Sequence, residues 1–240
     1  MLKYEAIAED LRKQIEDGTL GQNERLPTVV ELCHAYGVSK ITIRRAMERL
    51  KKDGLVSSRR GSGTFVKRSA SFEENPLVTG LNEHAEGFTA QHAKAGDAVS
   101  SEVYDFAVIT PPAEVAELLG LSAEDFTYYH CRTRIANDLP IAIEYTYMSL
   151  ALIPGLKLHH LYESVYRYLR EEVGLKLGSF HRAIRAVPAT EEEATRLKTE
   201  PGAPLLELEQ VGYLDSGIPF EYSRTRNVGS RYVLNNITLA

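Results

Sequence analysis

Two groups of side chains in this sequence have the types and spacing to do chemistry. The segment SKITIRRAMERL, residues 39–50, puts Lys40, Arg44, Arg45 and Arg49 on one short amphipathic stretch with Glu48 as its sole acid. A solvated helix face would interleave acids among such cations, so the pattern fits a surface that neutralises a polyanion. The second group is set by strand alternation. Arg132 and Arg134 fall on one face of a strand, with Cys131, Thr133 and Ile135 on the other, and Glu144 follows across a turn. If that turn spans three residues, Arg132 and Glu144 become cross-strand neighbours, and one sheet face is apolar while the other carries two Arg and a Glu. Two readings stay open for this set: a solvated face whose ion pair is worth little, or a pocket for a small carboxylate or phosphate.

Catalysis finds less support. GxSxG and HExxH are absent, and the seven His show no metal-ligand spacing. His159 and His160 are adjacent, cannot share a helical face, and read as exposed residues at a helix start. Glu144 and Glu221 could be imagined as paired carboxylates, but beside two Arg they should stay ionised and accept hydrogen bonds from a ligand's hydroxyls. Tyr162, Tyr166 and Tyr168 suit a core or a pocket wall. No catalytic residue, metal site or cofactor is expected. The alternative is a metabolic enzyme with an accessory DNA-binding unit, which turnover of a ligand would reveal.

The charge is divided along the chain. Residues 1–68 hold fourteen Lys and Arg against nine Asp and Glu, whereas the remainder holds fourteen against twenty-four, so the net charge of -5 averages a basic unit and an acidic one. The 240 residues are comfortable for two domains, and no segment has the apolar length of a membrane span or the h-region of a signal peptide. A cytoplasmic protein is expected, with Cys33 and Cys131 as separate reduced thiols.

These groups need elements to hold them. Ile7, Leu11 and Ile15 recur every fourth residue from Tyr4 to Asp17 and predict a first helix. Thr28 with Glu31 forms a capping box that opens a second helix, which Gly37 can end; Ser39 caps a third, with Ile43, Ala46, Met47 and Leu50 as its core stripe. Ile41, Arg45, Arg49 and Lys52 then point outward, flanked by Lys40 and Arg44. Leu55–Ser58 and Thr64–Val66 read as a hairpin with Arg59, Arg60 and a Gly-Ser-Gly turn at its tip, where an arginine can reach a minor groove or phosphates. Helix, turn, helix and hairpin together predict a winged helix-turn-helix over residues 1–68, followed by a linker at 69–76.

Residues 77–240 read as an antiparallel α+β domain. Strands are predicted at Thr127–Ile135, Pro140–Met148, Leu175–Val187, Leu205–Leu214, Pro219–Asn227 and Tyr232–Leu239, and helices at Pro112–Leu119, His160–Val173 and Glu191–Lys198. Two stretches share a layout of short helix, strand, turn, Pro and Glu-Tyr strand, with Glu144 and Glu221 lying 77 positions apart, which points to an internal duplication.

LPTVVELCHAYGVSKITIRRAMERLKKDGLVSSRRGSGTFV resembles the DNA-binding domain of the GntR family of bacterial transcription regulators, whose pattern runs LPSERELA, GVSR-x-TVR-x-AL, GxGTFV; the likeness covers most of residues 2–67. The family's DNA contacts map onto Val30, Ser39, Lys40, Arg44, Arg60 and Gly61 here. With the outward helix face and the hairpin tip, the expected DNA-binding set is Thr28, Ser39, Lys40, Ile41, Thr42, Arg44, Arg45, Arg49, Arg59, Arg60, Gly61, Ser62 and Gly63. Two departures, Val30 for an arginine and Lys40 for a bidentate fork, imply an operator that differs from the family's common one.

Residues 76–240 resemble the UTRA effector-binding domain of the HutC subfamily, similar in fold to chorismate lyase but not catalytic. The matching features are Arg132 and Arg134, Pro140 to Glu144, Ser164 and Tyr166, Glu221 and Tyr222, and Arg231 with Tyr232. In relatives that bind phosphorylated sugars, a loop before the domain's first helix cradles the phosphate; VTGLNEHAEG takes that place, with Thr79, Gly80, Leu81 and Asn82 as its residues. The resemblance implies a dimeric repressor of double-stranded operator DNA whose effector, a sugar phosphate or small carboxylate, meets Thr79–Asn82, Arg132, Arg134, Glu144, Ser164, Tyr166, Glu221, Tyr222 and Arg226. The chain departs from the family at Asn227 to Ser230, where relatives carry Tyr, Arg, Gly and Asp, leaving Arg224 or Arg226 as stand-ins for the missing guanidinium.

Overall fold

A computed structural model describes residues 2–59, 61–67, 78–80 and 87–235, and among them the chain forms two compact units. Arg60, Leu81, Asn82 and the expected linker at 69–76 lie outside the described residues. None of the described helices is long and apolar enough to cross a membrane.

The first unit consists of α1 (Lys3–Glu16), α2 (Val29–Tyr36), α3 (Lys40–Lys52), β1 (Val56–Arg59) and β2 (Gly63–Val66). Thr28 and Ser39 cap α2 and α3 through their hydroxyls, and Gly37 ends α2 at φ 61°, a conformation that costs a side chain but not glycine. Ile7 and Leu11 of α1 meet Ile43, Ala46, Met47 and Leu50 of α3 in one core, each large side chain contributing about 1.5–3 kcal/mol by its burial. Leu20, Leu26, Val56 and Val66 close that core from the loop and the hairpin. The segment before α2 also runs along β2: the Leu26 N–H donates to Thr64, the Val66 N–H to Glu24, and Arg25 bridges Phe65. The hairpin is thereby tied to the helices by backbone bonds that side-chain periodicity does not reveal.

The second unit takes in most of β3 (Val78–Gly80) and of the late β10 (Val233–Asn235), which pair with each other, and continues with α4 (Gly87–Lys94). Its remaining elements are β4 (Val99–Ile109), α5 (Ala113–Leu119), β5 (Thr127–Ala136), β6 (Leu139–Ser149), α6 (Leu158–Tyr162), α7 (Val165–Glu171), β7 (Leu177–Pro188), α8 (Glu191–Leu197), β8 (Pro204–Leu214) and β9 (Pro219–Val228). Six strands form one antiparallel sheet in the order β4-β5-β6-β9-β8-β7. The strand β4 carries no strict alternation, and sequence reading passed over it. The helix expected over His160–Val173 is two, because Ser164 caps a fresh start for α7 after the break at Glu163. His160, expected at an exposed helix start, is buried: its Nδ1 accepts the Lys157 N–H at 3.0 Å and its ring stacks on Tyr168.

The β5–β6 turn is the two-residue Asn137-Asp138, both at positive φ (49° and 63°), so the three-residue condition for pairing Arg132 with Glu144 is not the one met. Between Arg134 and Ile135 the register shifts by one residue, and this bulge still brings Arg132 opposite Glu144. The expected apolar face with Arg132, Arg134 and Glu144 on the side opposite is present, but both faces of the sheet are covered. One face packs Cys131, Ile143, Leu205 and Val228 against α8 and Val211 and Tyr222 against α5; the other packs Tyr128 and Met148 with Leu161, Val165 and Leu169 of α6 and α7. The arginines lie within the second core, out of solvent.

The two halves of the sheet repeat. The order β4-α5-β5-β6 returns as β7-α8-β8-β9, with α5 packed on β9 and α8 on β6. At the seam Thr146 pairs with Ser223, and these two are separated by the same 77 positions as Glu144 and Glu221. A pseudo-two-fold axis therefore passes through the Thr146–Ser223 pair.

Candidate nucleic-acid interface and anion pocket

On the first unit, the α3 stripe buries Ile43, Ala46, Met47 and Leu50 and turns the opposite side outward. Lys40, Arg44 and Arg45 are exposed there, and Ile41 is 67% exposed, an unusual state for isoleucine. Among the described residues no carboxylate lies within ion-pair distance of Lys40, Arg44, Arg45 or Arg59. Arg49 differs: it is half-buried and its Nε donates to Asp53 at 3.2 Å, with Arg12 also on that carboxylate. It is built into the α1–α3 contact rather than left on the outward face.

Thr28 and Ser39 hold cap positions, and the Ser39 hydroxyl also meets that of Thr42 at 3.0 Å, so these residues present the starts of α2 and α3. Arg59 stands exposed at the end of β1, paired across from Gly63. Gly61 and Gly63 adopt φ of 78° and 118°, and a Cβ at Gly63 would lie 2.7 Å from the Arg25 Nε; only glycine fits. Ser62 donates its N–H to Arg59 and closes the tip.

On the second unit, cross-strand register gathers the polar residues into rows on the α6/α7 side of the sheet, since directly paired residues share a face. One row reads Ser101, Arg134, Ala142 and Asn227; the next Arg132, Glu144 and Thr225; the third His130, Thr146, Ser223 and Gln210. Arg132 and Arg134 are 5% and 2% exposed, which excludes the solvated-face reading. The Arg132 Nε donates to Glu144 at 2.7 Å, its other nitrogen reaches the Leu161 carbonyl, and Arg134 stands 3.9 Å from the same carboxylate. Burial pushes the Glu144 carboxyl up, but the two guanidinium charges outweigh it and hold its pKa below the ordinary value. Arg134 is itself pushed down to about 9, first by burial and then by Arg132.

Glu221 faces the opposite regime. It accepts hydrogen bonds of 3.0 Å from Tyr166, Gln210 and Ser223, yet burial, with Glu144 adding to it, raises its pKa above the carboxylate norm. Burial and Glu221 together drive the Tyr166 hydroxyl well above its usual value, so it remains a donor. His130 is pushed down to about 3, by burial first and Arg132 next, and is neutral. Glu144 is thus the carboxylate that faces both guanidinium groups, while Glu221 is held by three neutral donors.

Two residues that sequence reading missed complete the wall. The Thr89 hydroxyl accepts from Arg134 at 2.7 Å, and the Phe88 ring lies 4.7 Å from the Arg134 guanidinium. The element touching the arginine is therefore the start of α4, whereas Thr79 and Gly80 are described only as backbone of β3. Gly87, whose φ is 72° and whose Cβ position would come 3.1 Å from Tyr166, was the available signal. Ser164 caps α7 beside this wall, and its neighbour Glu163 offers a carbonyl to Thr89.

Tyr222 and Arg226, both expected in the pocket, fall on the other face by alternation from Glu221 and Ser223. The Tyr222 hydroxyl donates to Glu209 at 2.6 Å, and Arg226 binds the buried Glu207 and Glu193, each at 2.7 Å. Arg224 shares their parity, so neither stand-in guanidinium reaches the site.

Comparison with known proteins decides the family. Residues 3–66 match the model for bacterial regulatory proteins of the gntR family, and residues 94–233 that for the UTRA domain. The chain belongs to the GntR family. Among GntR relatives, GmuR of Bacillus subtilis, an HTH-type transcriptional regulator, is 33% identical over 100% of this chain and 99% of its own. The repressor MngR of Escherichia coli is 32% identical over 92% of this chain and 89% of its own, and the repressor NagR of Bacillus subtilis 29% over 95% and 91%. The crystal structure of YydK from Bacillus subtilis superposes with a TM-score of 0.80 at 30% identity, covering 100% of both chains. This GntR chain is thus a DNA-binding transcription regulator with a small-molecule-binding UTRA domain, and the enzyme alternative falls away.

Proposed function

We propose that this regulator is a cytoplasmic repressor that binds a palindromic operator as a homodimer and is controlled by a small anionic, hydroxyl-rich metabolite such as a phosphorylated sugar. The reading divides the chain into a DNA-binding domain at 1–68, a linker at 69–76 and an effector-binding, dimerising domain at 77–240. Lys40, Ile41, Arg44 and Arg45 enter the major groove from α3, with Ser39, Thr42 and Thr28 at the helix starts and Arg59 to Gly63 following the backbone. The observation that carries the effector class is the pair of buried guanidinium groups: Arg132 and Arg134 both face the one carboxylate of Glu144, and two such forks side by side in a low-dielectric environment favour an anion. Glu144, Glu221, Gln210, Ser223 and Tyr166 supply partners for hydroxyls. The relative MngR, named for a mannosyl-D-glycerate transport and metabolism system, supports a carbohydrate-derived ligand.

Control requires that the ligand bind one of two conformations better and so shift the population away from the DNA-competent one. A band-shift with DNA from the chain's own promoter, with and without sugar phosphates and small carboxylates, tests this. Retarded DNA released by one of these ligands is the expected result; a ligand that binds while operator affinity stays unchanged would sink the switch.

A further inference from the structure

We propose that His130 is a direct effector contact that sets which ligand the pocket accepts, its neutral imidazole hydrogen-bonding an uncharged polar group such as a hydroxyl. The inference rests on the pocket reading above and adds a residue to it. His130 lies on β5 two residues before Arg132, on the same sheet face, and directly opposite Thr146. It is 1% exposed, and neither ring nitrogen has a hydrogen-bond partner among the described residues. Any neutral tautomer has one N–H to donate and one nitrogen to accept, so two bonds are unmet whichever form is present.

Leaving them unmet costs about 1–3 kcal/mol each, a cost that a leucine of similar volume would remove. The other buried histidines do not carry it: His92 meets Asp97 at 2.7 Å and His160 receives the Lys157 N–H at 3.0 Å. Nor is His130 alone in its wall. The Arg134 Nε and the Ser101 hydroxyl, one paired across from the other, are likewise buried without partners. Three polar side chains with unused capacity thus share one sheet face, where their cross-strand neighbours are the short Ala142, Thr146 and Ser223. Such a constellation serves a ligand that brings its own donors and acceptors. The uncharged ring beside two guanidinium groups suits a hydroxyl, while the anionic end of the ligand pairs with the arginines.

The test uses the full-length chain and its His130→Leu and His130→Gln variants, titrated calorimetrically with glucose 6-phosphate, fructose 6-phosphate, mannose 6-phosphate and inorganic phosphate. His130→Leu should melt at or above the wild-type temperature, lose about tenfold or more in affinity for the preferred sugar phosphate, and keep its affinity for inorganic phosphate within about twofold. His130→Gln should recover part of the loss. Should His130→Leu fail to fold, ring-nitrogen resonances of the wild type decide: those of His130 should move on saturation with the sugar phosphate, and unmoved resonances would overturn the assignment. Unaltered sugar phosphate affinity in a folded His130→Leu overturns it as well while leaving the anion pocket standing. A wild-type protein that binds none of the four probes overturns the pocket reading and this contact together.

Discussion

His130, Glu144 and Glu221 show how three titratable groups within one wall are driven apart by their surroundings. Folded His130 is neutral down to about 3, against an ordinary value of 6.5. Between those values the unfolded chain binds a proton that the folded chain does not, so stability falls as pH drops below about 6.5, by up to about 1.4 kcal/mol per pH unit. Urea midpoints compared between wild type and His130→Leu at pH 7, 6 and 5 should diverge steadily; parallel curves would contradict the buried neutral ring. On the first unit the relevant side chain is Arg44. Exposed on α3 with no carboxylate beside it among the described residues, it should cost operator affinity and relax specificity when replaced by alanine. Arg59→Ala should instead weaken all sequences alike and flatten the slope of log affinity against log salt by about 0.9 for each phosphate left without its cation.

At the scale of elements, much of the architecture was legible because the signals are local. Thr28 with Glu31, Gly37, Ser39 and the Ile43-to-Leu50 stripe fix α2 and α3 through caps and periodicity, and they lie where the sequence placed them. The errors came where tertiary partners decide. Arg49 looked free although Asp53 lies four residues on; what the sequence does not show is that Arg12 of α1 joins Arg49 on that carboxylate once α1 packs on α3. Tyr222 and Arg226 looked like pocket residues because a motif does not say which face of β9 each member takes. Thr89 escaped notice because its role depends on Arg134, 45 residues away. The register of β5 and β6 rests on the Asn137-Asp138 turn together with a bulge the sequence does not announce, and that turn is testable. Asn137 holds φ 49°, accepts the Ala98 N–H and donates to Asp97. Asn137→Ala should destabilise the second unit by about 1–3 kcal/mol, read as a lower urea midpoint, from left-handed strain and the removal of two hydrogen bonds.

For the whole molecule, charge is divided along the chain into a basic stretch at residues 1–68 and an acidic remainder, so the cations and most of the acids belong to different parts of the sequence. The pocket then needs only to respond to its ligand, and separation of the two activities can be measured. Arg132→Gln removes a pocket cation but leaves α3 and the hairpin untouched. It should retain operator affinity within about twofold while its release by ligand shifts to at least about tenfold higher concentration, checked by band-shift across a ligand series. Equal loss of both activities would mean that the substitution unfolds the chain and not the pocket alone.

The seam at Thr146 and Ser223 carries a consequence for how such a site can change over time. Its carboxylates come from matching places in the two halves, yet one is anchored as an anion by neighbouring guanidinium groups, whereas at the other burial works against the charge that hydroxyl and amide donors favour. A duplicated scaffold of this sort can drift toward a new ligand by altering one copy, while the unaltered copy continues to hold the strands together.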